Sequence, residues 1–285
     1  MPLLLKSVPP TRGPRWIGDA WALFRRKPLA FAAMFSTYMF ACMLVWLVPL
    51  AGTVAMLMSW PLLSLGFMVA SQATLLGDTP HPRHFVEPLM GDPARRRTLL
   101  WLCASFGVLM LLAMLLVTGV AGDAPERFVE AVREGEAGQP KLQALAQESR
   151  LNEAMLLFMV LTTALSIPYW HAAALVHWGG QGAAQALFSS TLAIWRGKGA
   201  YVLFGLAWIA LILGVSTVAG AVLGILGLVG AVNFVLVGMM LLFSTLFYVA
   251  QLFTFNDSFG GAVGGSDGLG ALGDNGDLPT PPPGA

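Results

Sequence analysis

Few side chains in this sequence are placed to do chemistry. His171 stands between Trp170 and Ala172 inside a long apolar run, and none of the comparable runs supplies a carboxylate to pair with it. An ionisable group at such depth marks a functional site by default, yet a neutral imidazole needs only one nearby acceptor. Packing is therefore the first expectation for His171, and a polar site at His171 and Asp257 is the alternative. His177 falls at the edge of the same run and reads as an interface residue. His81-Pro-Arg-His84 with Glu87 offers metal-ligating side chains, but the prolines break the helix that would align them and no cysteine accompanies them. A solvated basic loop is the simpler reading. Ser216 and Ser244 have no basic partner in their runs, and the nucleophile-elbow, zinc-protease and phosphate-loop patterns are absent. No catalytic residue, cofactor site or metal site is assigned, and the expectation is a non-enzymatic protein that does not bind nucleic acid.

The apolar runs say more than the polar residues. Leu29–Leu50, Thr53–Leu76, Thr98–Val120, Ala154–Trp178, Ala200–Leu223 and Asn233–Phe255 contain no Asp, Glu, Lys or Arg. At about 1.5 Å per residue each crosses a hydrocarbon core of about 30 Å. The predicted fold is all-α: an integral membrane bundle of six transmembrane helices with amphipathic interfacial helices. A composition 56% hydrophobic and 11% charged fits one membrane domain and excludes an ordinary soluble globule. That domain is expected over residues 1–257. A polar external connection (122–153) lies within it, and a Gly/Pro-rich tail (258–285) too poor in apolar residues to order itself follows it. Leu3–Leu5 is too short for a signal-peptide core, so the first span is expected to direct insertion.

Charge sets the expected orientation. Six basic residues precede the first span, four lie in the second connection and two in the fourth, so 12 of 16 fall on one side. By the positive-inside rule both termini face the cytoplasm of a bacterial inner membrane. The connection on the other side carries seven acidic residues against four basic ones, with Phe128, Val129 and Val132 at helical spacing. Cys42 and Cys103 fall at different depths and are expected as free thiols.

Two segments read as surface helices. In Trp16–Lys27, Trp16, Ala20, Leu23 and Phe24 share a face, edged by Ile17 and Trp21; Arg25, Arg26 and Lys27 close it. In Gly182–Lys198, Ala184, Leu187, Phe188, Thr191, Ile194 and Trp195 form the apolar face before Arg196 and Lys198. Trp16, Trp21, Arg25, Arg26, Lys27, Trp195, Arg196 and Lys198 are therefore the expected lipid-interface residues, gripping anionic headgroups. Together with Arg95–Arg97 before the third span, these segments suggest three units, each a surface helix followed by a hairpin. Pro61 and Pro168 should kink the second and fourth spans. Gly66/Ala70 and Gly220/Gly224 offer surfaces for close helix contact.

Phe24-Arg25-Arg26-Lys27-Pro28, Pro61 with Gly66, Trp170 with Leu175 and Val176, Ala186 with Ser190 and Arg196, and Phe255-Asn256-Asp257-Ser258-Phe259 occur in this order. In that order they resemble the pattern of a family of uncharacterised bacterial six-span inner-membrane proteins, over residues from about 12 to 259. Ala173, Gly197 and Asn256 depart from that pattern, where the family tends to have Pro, Asn and Arg. The resemblance implies the fold and no activity. The functional expectation is a scaffold or modulator of envelope components, with membrane lipids, a second copy or other membrane proteins as partners. A transporter or transporter subunit for a neutral or lipidic solute is the alternative. A carrier calls for a polar cavity between kinked helices, whereas a lipid-modifying enzyme would gather His81, His84, Asp92 or Asp257 around one pocket.

Overall fold

The computed structural model describes residues 4–228 and 232–260, and within them the chain is helical with no strand. The elements run α1 (Arg12–Phe24), α2 (Pro28–Trp46), α3 (Ala51–Leu75), a 3-10 turn (Pro82–Phe85), α4 (Glu87–Met90), α5 (Pro93–Ala121), α6 (Ala124–Arg133) and a 3-10 turn (Gly135–Gly138). Then come α7 (Gln139–Ala146), α8 (Ser149–Tyr169), α9 (Ala172–Gly179), α10 (Ala183–Arg196), α11 (Lys198–Ile225) and α12 (Val232–Phe259). Six apolar spans result: Pro28–Trp46, Ala51–Leu75, Pro93–Ala121, Arg150–Gly179, Lys198–Ile225 and Phe234–Phe259. The expected boundaries shift by a few residues only, because lipid leaves no acceptor for an unpaired backbone amide within the core. The tail expected from 258 begins two residues inside α12, and from 261 on it lies outside the described residues.

Two of the spans begin where they do for a local reason. Pro28 opens α2 where its missing N–H is no loss, and Asp92 caps α5 by accepting from the Ala94 amide at 3.1 Å. Beyond the far ends of the spans, α6 and α7 form the polar connection. There Arg127 bridges Asp123 at 3.2 Å and Glu148 at 2.8 Å. Phe128, Val129 and Val132 are about half exposed on α6.

Two hydrophobic clusters build the interior, and α3 and α12 belong to both. Phe67 and Ala70 of α3, with Val249, Ala250 and Phe253 of α12, join Trp16, Leu23, Phe31, Phe204 and Trp208. Leu65 and Met68, with Leu252 and Phe255, join Leu99, Phe106, Tyr169 and Leu175. Cys42 and Cys103 are buried free thiols in different helices. Away from the termini the spans present large apolar side chains outward, such as Trp46, Leu47, Val218 and Ile225. That surface needs lipid around it.

The two prolines act differently. α3 runs through Pro61 as one helix, whereas the fourth span breaks two residues after Pro168, between α8 and α9. Small residues also divide. A Cβ on Gly13 would strike the Ala200 carbonyl of α11, and one on Gly66 would strike the Phe85 ring. Gly220 and Gly224 have open space around them and make no such close approach. The three-unit pattern is incomplete, since a 3-10 turn and the four-residue α4 precede α5 in place of a surface helix.

Candidate functional site

The last turns of α12 carry Gln251, Thr254, Asp257 and Ser258, spaced to lie along one helical face at the end of the bundle where α1 docks. Each has a partner from a different element. Gln251 Oε1 accepts from Ser64 of α3. Thr254 Oγ1 accepts from Trp170 Nε1 at 3.2 Å and donates to the Gln251 carbonyl at 2.8 Å. Ser258 Oγ lies 2.9 Å from the Tyr201 hydroxyl of α11, which lies 2.7 Å from His171 Nε2. The Lys6 amide donates to the Ser258 carbonyl at 2.8 Å, so the N-terminal segment lies against the same helix end.

Asp257 gathers α1. Its Oδ2 accepts from Trp16 Nε1 and from Arg12 Nε, both at 2.7 Å, and Arg12 reaches Asp19 at 3.1 Å. Burial disfavours the Arg12 cation, but Asp257 and then Asp19 more than offset this, and its pKa is raised. Asp19 is raised as well, because burial outweighs the attraction of Arg12 and the Asp257 charge adds to the rise. One cation shared between two carboxylates leaves Asp19 the less favoured of the two, despite its close geometry.

Ser190 of α10 explains the break in the fourth span. Its hydroxyl accepts from the His171 amide at 3.0 Å and donates to the Ile167 carbonyl at 3.1 Å. Those two backbone groups are four residues apart and would be partners in an uninterrupted helix. The hydroxyl opens the ladder and satisfies both ends. His171 itself is fully buried, with its ring edge-on to Phe259 and tilted steeply against Phe255, both centroids at 5.6 Å.

The expected site residues fall into three groups. Trp16 is not a lipid anchor: it is fully buried, because the apolar face of α1 meets α11 and α12 instead of lipid. Its ring packs on Tyr201 and Phe204 at 5.2 and 5.6 Å. Trp21 and Trp195 are exposed, as are Arg25, Lys27, Arg196 and Lys198, while Arg26 is half-buried. Lys198 Nζ sits 5.4 Å from the Trp195 ring centroid. On α10 the buried face is the small one, Ala186, Ser190 and Ala193, and Phe188 and Trp195 point outward. Finally, His171 and Asp257 are brought to neighbouring turns of one polar seam, through Ser258 and Tyr201. His84 pairs with Glu87 at 3.0 Å and Asp92 caps α5, so neither joins Asp257.

Arg12, Tyr201, Thr254 and Gln251 were not singled out from the sequence. An Asp in the last turn of the final span, facing a basic amphipathic helix, was the available signal for the first of them.

A lateral cavity of about 540 Å³ lies beside this seam, where α8 stands apart from α11 and α12. Trp170, Phe204, Trp208, Phe243 and Phe247 are among its wall residues, together with the hydroxyl-bearing Thr163, Ser166 and Ser244. It borders the broken fourth span but not α3, so it is not a polar chamber between two kinked helices.

The family-model comparison finds no match, and no solved structure matches the chain. Among curated proteins, a probable inner membrane protein of Burkholderia thailandensis is 31% identical over 247 residues, which cover 86% of this chain and 90% of that protein. With that coverage and six spans able to cross a bilayer, the chain belongs to the same family of multi-pass inner membrane proteins.

Proposed function

We propose that the protein is a non-enzymatic inner-membrane scaffold that holds or modulates envelope components, with both termini in the cytoplasm. The observation that carries this reading is the polar seam of α12. Asp257, Ser258, Thr254 and Gln251 face protein partners on α1, α3, α11 and the α8–α9 junction. Side chains engaged with one another in this way stiffen a platform. The orientation rests on the 12 basic residues at the terminus-bearing end. Exposed Arg25, Lys27, Arg196 and Lys198 at that end suit an anionic lipid surface, and a second copy or other membrane proteins are further partners. The test is purification in native lipid with mass spectrometry of what accompanies the chain. Reproducible envelope proteins support the scaffold, and turnover of a lipid by the pure protein overturns it.

A second reading, handling of a neutral or lipidic solute, is favoured by the lateral cavity beside α8. The helix break at Trp170–His171 lies at its edge. Solute flux into liposomes containing the purified protein is the corresponding measurement.

A further inference from the structure

Trp208 is 6% exposed and lines the lateral groove, and its indole Nε1–H meets no acceptor among the described residues. Indole nitrogens elsewhere in the seam are engaged: Trp16 with Asp257 and Trp170 with Thr254. A buried donor without a partner inside a hydrocarbon medium calls for an acceptor brought by something else. One turn earlier on the same face of α11 the wall has room. Gly205 lines the same groove, and a Cβ there would meet nothing within 4 Å. At about 540 Å³ the space falls within the roughly 300–1,000 Å³ range of small-molecule sites.

Depth narrows the occupant. α11 has 28 residues and is therefore about 42 Å long, matching a bilayer with its headgroup regions. Trp208 is ten residues from Lys198, about 15 Å along that axis, hence roughly 9 Å inside the hydrocarbon boundary. The ester oxygens of an ordinary phospholipid stay at the boundary and fall short of it. The occupant must carry its oxygen into the core. The walls add a second requirement: Phe204, Trp208 and Phe247 present ring faces and edges within about 6 Å of one another, Phe204 stacked on Phe247 at 6.1 Å. Such walls favour a flat ring over a flexible chain.

We propose that the groove between α8, α11 and α12 binds a membrane-dissolved quinone, one ring carbonyl accepting from Trp208 Nε1–H and its apolar tail leaving between α8 and α11. This deepens the second reading above only in its binding step, so absence of liposome flux leaves it standing. The test uses the full chain purified in detergent and a benzoquinone bearing a decyl chain, with thermal unfolding as readout. The probe should raise the unfolding temperature of the wild-type protein. Trp208→Phe keeps a ring and removes the donor, and should need about 3- to 10-fold more probe, the effect of one neutral hydrogen bond. Gly205→Leu should place a side chain in the open space, abolish the shift and leave the unfolding temperature without probe unchanged. Decylbenzene, which has no carbonyl, should bind wild type and Trp208→Phe equally. The absence of a wild-type shift, or a shift that survives Gly205→Leu, overturns the site. Phospholipid that copurifies with wild type but is lost in Gly205→Leu also overturns it, by giving the groove to a phospholipid.

Discussion

The hydroxyl of Ser190 stands between the amide of His171 and the carbonyl of Ile167, accepting from the amide and donating to the carbonyl. A side chain on α10 thus completes the backbone of the fourth span. Ser190→Ala should leave two buried backbone groups unpaired, costing on the order of 1–3 kcal/mol for each group that stays so. Unfolding in graded denaturing detergent measures the loss. An unchanged midpoint would mean that α8 and α9 had closed their own helical bond.

Asp257 holds α1 to α12 through Trp16 and Arg12. Asp257→Ala should destabilise the folded protein by about 2–3 kcal/mol, in the range for hydrogen bonds to a charged group. It should also expose Arg12 and Arg15 to trypsin. Asp257→Asn keeps an acceptor for Trp16 and should fall between wild type and alanine. Trypsin resistance in Asp257→Ala would show that α1 is held by packing alone.

The carboxyl of Asp19 has a pKa raised from 3.8 by burial. Ionising it therefore costs more in the folded chain than in the unfolded one. The associated stabilisation is complete below pH 3.8 and declines as the pH rises through the higher folded value. Asp19→Asn has no charge to gain, so its stability relative to wild type should increase across that window and then level off. Parallel pH profiles of unfolding for the two proteins would contradict this.

Orientation can be read by labelling. Gln139→Cys, at an exposed position of the polar connection, should react with an impermeant maleimide in intact cells, and Ser266→Cys should not, when each is made in a Cys42→Ser, Cys103→Ser background. The reverse pattern would place the termini outside.

The two amphipathic helices should respond differently to mutation. Arg196→Glu with Lys198→Glu should weaken retention of anionic lipid in native mass spectrometry. Loss of attraction is about 1 kcal/mol per basic residue near the surface, roughly fivefold each. Trp16→Ala should instead lower the unfolding midpoint and leave lipid retention unchanged. Lipid loss in Trp16→Ala would return α1 to the membrane surface.

The spans were legible because a bilayer imposes continuous apolar runs, and no tertiary contact is needed to see Thr98–Val120 or Ala200–Leu223. Helical periodicity also identified α1, but amphipathicity records that Trp16 avoids water without saying whether lipid or protein replaces it. The burying surface is formed by α11 and α12, far along the chain. Pro61 and Pro168 look alike in sequence, each beside an aromatic residue in an apolar run. Beside the second, a hydroxyl inserts into the backbone ladder, from a helix that begins fifteen residues later. Ser190 was legible as one element of the family resemblance, while its insertion into the ladder depends on how α10 folds back. The seam of α12 escaped notice because Gln251 and Thr254 are ordinary residues until Ser64 and Trp170 meet them.

The pairing of Trp16 with Asp257 joins positions 241 residues apart. At roughly 5–20 residues per second, about 12–48 s of synthesis separate the two. Until α11 and then α12 emerge, the apolar face of α1 lacks the protein surfaces that cover it. The emerging chain must therefore rest this helix on the membrane surface or hand it to a chaperone until the last span is inserted. Completion of the bundle is consequently timed by its final helix, and a chain that stops before α12 leaves its first helix without one of its two main docking surfaces. An exposed aromatic face near the N-terminus would then mark the unfinished protein for quality control.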